Sequence, residues 1–120
     1  MKKSILITGA SGFIGSFLVE EALRRGFDTW AGIRASSSRK YLQQPELHFL
    51  ELDFAHADRL SSQLKAHREV HGSFDYIIHC AGATKCIDQA DFDRVNYEQT
   101  RAFADTLLRL DMVPQQFVFI

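Results

Sequence analysis

Three glycines spaced three residues apart, Gly9, Gly12 and Gly15, are the positions in this sequence best suited to chemistry. They follow the apolar run Ile5-Leu6-Ile7 and precede apolar residues at helical spacing. The order is therefore strand, tight turn and helix start, which is the context a phosphate-binding glycine motif requires. Glycine allows a backbone turn closed to residues with a Cβ, close approach of main chain to a pyrophosphate, and close packing of helix on strand. The helix that opens there offers unpaired N–H groups and the positive end of its dipole, so an anion is the natural occupant. No Gly-Lys-Ser/Thr ending follows, which argues against a nucleoside-triphosphatase loop. A glycine turn with a purely structural purpose is the alternative.

Elements that could position this turn are legible along the chain. Phe13, Ile14, Phe17, Leu18, Ala22 and Leu23 predict one apolar helix face, with Glu20, Glu21, Arg24 and Arg25 on the polar side and Gly26 as the stop. Strands are expected over 28–33, over 47–52 after Pro45, over 74–83, and over 115–120 after Pro114. Helices are expected over about 56–67 and 88–110, the second with Phe92, Val95, Ala102, Phe103, Leu107 and Leu110 near one face. This alternation with short connections predicts an α/β fold: a doubly wound parallel sheet with helices on both faces. With 120 residues the chain is read as one domain, 1–120.

Composition narrows the function classes. The chain is 46% hydrophobic and 24% charged with a formal net charge of -1, which is ordinary for a soluble domain and gives no reason to expect nucleic acid or an acidic membrane as partner. No apolar run approaches a membrane span, and a cytoplasmic protein is expected. Cys80 and Cys86 are read as reduced thiols. His67 and His71 lie four apart, a spacing a zinc site could use, but without a third ligand they are read as a solvated pair on a frayed helix end, and no metal site is assigned. His79 is read as a strand histidine rather than a catalyst.

Thr8-Gly9-Ala10-Ser11-Gly12-Phe13-Ile14-Gly15 closely resembles the TGxxGxxG signature of the extended short-chain dehydrogenase/reductases, the epimerase, dehydratase and reductase branch of that superfamily. Phe74-Asp75-Tyr76-Ile77-Ile78-His79-Cys80-Ala81-Gly82 resembles the family's fourth strand, and Val95-Asn96-Tyr97-Glu98-Gln99-Thr100 its VNxxGT stretch, with Gln99 in place of the glycine. The resemblance implies a Rossmann-like fold binding NAD or NADP. It assigns the pyrophosphate to Gly9, Ser11, Gly12, Phe13, Ile14 and Gly15, the adenine to Asp53 and the backbone of Phe54, the ribose and pyrophosphate also to Ala81, Gly82 and Ala83, and a supporting role to Asn96.

The end of the second strand bears on the choice of cofactor. The position where an NAD-specific member carries an acidic residue falls on Ile33, and Arg34 follows it. Arg34, with Ser36, Ser37, Ser38, Arg39 and Lys40 behind it, suits a 2′-phosphate, so NADP is favoured over NAD, against the alternative of a solvated basic loop.

In the family a Ser or Thr after the fifth strand and a later Tyr-x-x-x-Lys pair carry the acid–base chemistry. Tyr41, Tyr76 and Tyr97 are followed four residues on by Pro45, Cys80 and Arg101, so no such pair exists here and no catalytic residue is assigned. The resemblance thus covers the whole chain but only the first part of the family's length, and implies an N-terminal fragment, truncated after the fifth strand, of a larger enzyme acting on a small carbinol or ketone such as a nucleotide sugar. A helical dimer interface in the family implies a homo-oligomer. A dinucleotide-binding regulatory relative without turnover is the alternative.

Overall fold

The computed structural model describes residues 2–80 and 89–120. In chain order these form β1 (Ser4–Thr8), α1 (Phe13–Arg24), β2 (Asp28–Ile33), β3 (His48–Glu51), α2 (Ala57–His71), β4 (Tyr76–His79), α3 (Gln89–Arg109) and β5 (Gln116–Phe119). The five strands make one parallel sheet in the order β3-β2-β1-β4-β5. β1 is central, with Thr8 opposite Gly32 of β2 and His79 of β4. The winding direction reverses between β1 and β4, and a crevice outside the carboxyl ends of strands at such a reversal is where open α/β sheets bind ligands.

Side chains alternate across the sheet and meet a different helix layer on each face. Leu6, Trp30 and Ile77 pack with Leu60 and Leu64 of α2 and with Phe103 and Leu107 of α3. Ile5, Ile7, Ala31 and Ile33 pack on the other side with Val19 and Ala22 of α1. Helices therefore cover both faces, and the Rossmann-like doubly wound expectation holds.

Two details correct the sequence reading. The apolar residues of α1 do not share one buried face: Gly15, Val19 and Ala22 are buried, whereas Phe13 and Phe17 are 85% and 67% exposed and Ile14 is exposed as well. At roughly 100° per residue, Phe13 and Phe17 fall nearly opposite the Gly15-Val19-Ala22 stripe. A helix docked through glycine and alanine leaves no room for a second apolar stripe against the strands.

The other correction concerns α2, which runs to His71 and ends at Gly72, where φ is +81°. His67 is not solvated. It is buried, its ring stacked on Phe74 at 4.5 Å between centroids and set edge-on to Trp30 at 4.6 Å, while His71 stays exposed. Leu60, Leu64 and His67 follow the i, i+4, i+7 spacing of a sheet-facing stripe, which carries the histidine inward. Burial, and then the charge of His71, push its pKa down to about 4.

Candidate functional site

The glycine turn occupies the carboxyl end of β1. Gly9 has φ of +63°, in the left-handed region, and its carbonyl accepts the Gly12 N–H at 3.1 Å. Gly12 caps α1 without any side-chain hydrogen bond, and no acidic residue stands in the first helical turn. The N–H groups of Phe13, Ile14 and Gly15 thus have neither an intrahelical acceptor nor a capping side chain. A Cβ on Gly15 would sit 2.1 Å from the Gly9 carbonyl oxygen and 2.8 Å from the Ala10 Cα, so only glycine lets the helix start this close to the turn. Ser11 is half-buried in the same turn. With the side chains of Phe13 and Ile14 in solvent, what these residues present at the turn is backbone N–H. The cradle fits a pyrophosphate.

Beside it, β1 and β4 are tied at their carboxyl ends. The Thr8 hydroxyl lies 2.7 Å from Nδ1 of His79 and accepts the N–H of Cys80 at 3.0 Å. The imidazole of His79 is buried among Phe54, Phe103, Phe117 and Phe119, and its Nε2 has no hydrogen-bond partner among the described residues. Desolvation pushes its pKa down to about 4, so the ring is neutral at neutral pH. This agrees with a strand histidine that fixes the geometry of two strand ends. Burial likewise pushes the Cys80 thiol up, which keeps it protonated.

The third part lies at the ends of β2 and β3. A cleft of about 220 Å³ is lined by Arg34, Ser36, Leu52, Asp53, Arg59 and Gln63. Arg34 and Asp53, 19 positions apart in sequence, therefore open onto one space. Ser37 turns the chain after β2, its hydroxyl accepting the Arg34 N–H at 3.0 Å. Asp53 is held firmly: its N–H donates to Gln63 Oε1 at 2.8 Å, while its carboxylate accepts the Ala55 N–H at 3.0 Å and lies 2.8 Å from Nδ1 of His56. The hydrogen bond from His56, then the Ala55 N–H and the Arg59 charge, hold the carboxyl below its usual pKa. The N-cap of α2 is His56, and Asp53 is a turn residue before the helix. Phe54 points its ring into the aromatic core, 5.1 Å from Phe103 between centroids, leaving its backbone for a ligand.

The basic loop is more divided than its sequence implies. The guanidinium of Arg39 lies 4.4 Å over the Phe49 ring and the ammonium of Lys40 5.3 Å from the Tyr41 ring, and neither lines the cleft. Arg59 and Gln63, which do line it, were missed because nothing in a helix sequence marks which residue faces a neighbouring loop. Ala81, Gly82 and Ala83 lie outside the described residues. Asn96 is half-buried on α3 and does not line this cleft. No cluster of three metal-ligating side chains occurs among the described residues, and none of their helices is long and apolar enough to cross a membrane.

Dihydroflavonol 4-reductase of Solanum lycopersicum is 36% identical over 91 residues, spanning 75% of this chain and 22% of that enzyme. The Bordetella bronchiseptica enzyme WbmG, solved in complex with NAD and UDP, superposes with a TM-score of 0.74 at 21% identity over 99% of this chain and 37% of its own. WbmH of the same organism, solved with NAD+, superposes with a TM-score of 0.68 at 25% identity over 93% of this chain and 37% of its own. The chain thus spans well under half the length of these relatives. The profile of the NAD dependent epimerase/dehydratase family matches residues 5–120, from the first strand through the last, and on that match the chain belongs to this family.

Proposed function

We propose that this chain is the dinucleotide-binding part of an NAD(P)-dependent reductase or epimerase. The pyrophosphate lies on the turn from Gly9 to Gly15 and the adenosine in the cleft of Arg34 and Asp53. The observation that carries this reading is the start of α1: three backbone N–H groups without an intrahelical acceptor or a capping side chain among the described residues, at the point where strand order reverses, over a glycine that admits no Cβ. The bound cofactor supplies hydride transfer at its nicotinamide, while the protein's task here is to bind and orient it. Chain length relative to the reductase and the NAD-bound structures supports placing the acid–base residues and the substrate-binding part outside these 120 residues. A carbinol or ketone of small-molecule size, such as a nucleotide sugar, fits the relatives' range.

Between the two cofactors, NADP fits better. Ile33 offers no carboxylate to the ribose hydroxyls at the end of β2, and its neighbour Arg34 opens a forked donor onto the cleft. Calorimetric titration with NADPH and NADH tests this. Tighter NADPH binding that Arg34→Ala removes, by roughly 10- to 100-fold for a lost charged hydrogen bond, is the expected result. Equal affinities for the two, unchanged in the variant, would refute the NADP preference.

A further inference from the structure

We propose that Arg59 of α2, which lines the same cleft as Arg34, is a second cation for the 2′-phosphate, and that Asp53 holds its guanidinium until the phosphate arrives. This rests on the reading of the cleft as the adenosine site. A phosphate monoester carries about 1.5 to 2 negative charges near neutral pH, more than one arginine neutralises. With Arg39 and Lys40 placed over aromatic rings away from the cleft, Arg34 would otherwise stand there against Glu51, which lines the same space with the opposite charge. Arg59 restores the balance.

Its present partner is easily surrendered. Nη1 of Arg59 is 3.5 Å from Oδ2 of Asp53, and with the arginine side chain 65% exposed an ion pair of that length contributes little. Asp53 keeps shorter contacts to His56 and Ala55 when Arg59 leaves, so the carboxylate is not stranded. Arg59 also stands in the first turn of α2, where the helix dipole disfavours a cation. An arginine there gains nothing from its own helix, and an anion in the cleft would give it a partner.

The test is calorimetric titration of the chain, of Arg59→Gln and of Arg34→Ala with adenosine 2′,5′-bisphosphate and with 5′-AMP. Arg59 is exposed, so the glutamine variant should fold as the wild type does, which its thermal melt checks. The proposal expects Arg59→Gln to weaken the bisphosphate about 10-fold or more and to leave 5′-AMP unchanged. Equal losses on both probes would assign Arg59 to the base and overturn the phosphate role. No loss in Arg59→Gln alongside a loss in Arg34→Ala would overturn the role of Arg59 while the NADP reading stands. Failure of the wild-type chain to bind either probe would overturn both.

Discussion

His67 and His79 are neutral imidazoles enclosed by aromatic rings, each held near a pKa of about 4, whereas an unfolded histidine titrates near 6.5. As pH falls from about 6.5 towards 4 the unfolded chain takes up protons that the fold refuses, so stability is full above that window and is lost through it, by about 1.4 kcal/mol per pK unit per histidine. Trp30, the single tryptophan, touches His67 and reports unfolding by fluorescence. Denaturant midpoints at pH 7 and pH 5 should differ in the wild type and about half as much in His67→Phe, where His79 remains; identical wild-type midpoints would contradict the account. The burial of His67 was legible in its spacing from Leu60 and Leu64, but an i, i+4 histidine pair draws attention to metals first. Arg34 and Asp53 were legible for another reason: each follows closely on the carboxyl end of a strand, and in a parallel sheet those ends face one edge. Arg59 sits on a helix, where only the folded geometry tells which residue overlooks the cleft.

At the scale of elements, glycines separate function from punctuation. Gly15 has the Gly9 carbonyl where a Cβ would go, so Gly15→Ala should cost about 1–3 kcal/mol through forced displacement and should abolish dinucleotide binding. Gly26, with φ of +84° and open space around it, ends α1 instead. There Gly26→Ala should cost about 1–2 kcal/mol of backbone strain and leave binding intact. Urea unfolding and NADPH titration of the two variants check the contrast, and equal binding in both would show that the close approach at Gly15 is not needed for the ligand. Glycine and proline marked most element limits correctly because they act locally. The face of α1 was not legible: counting apolar residues favours Phe13 and Phe17, but backbone proximity at Gly15 decides which stripe meets the sheet.

For the whole molecule, the two edges of the described sheet differ. β3 carries exposed His48 and Glu51, polar groups that discourage edge pairing, whereas β5 presents Val118 and Phe119, with Ile120 beyond. The chain is expected to self-associate through this edge and the exposed apolar residues nearby. Light scattering over a concentration series should show the average mass rising, and less so for Val118→Lys; a monomer at all concentrations would contradict it. The parallel sheet with helices on both faces followed from the alternation of elements. The most direct test of the dinucleotide site is an NMR titration of the isotopically labelled chain with NADPH, following backbone amides. The account predicts the largest shifts at Gly12, Phe13, Ile14 and Gly15, with a second set at Arg34 and Asp53. Saturable binding that leaves the glycine-turn amides unmoved would contradict it.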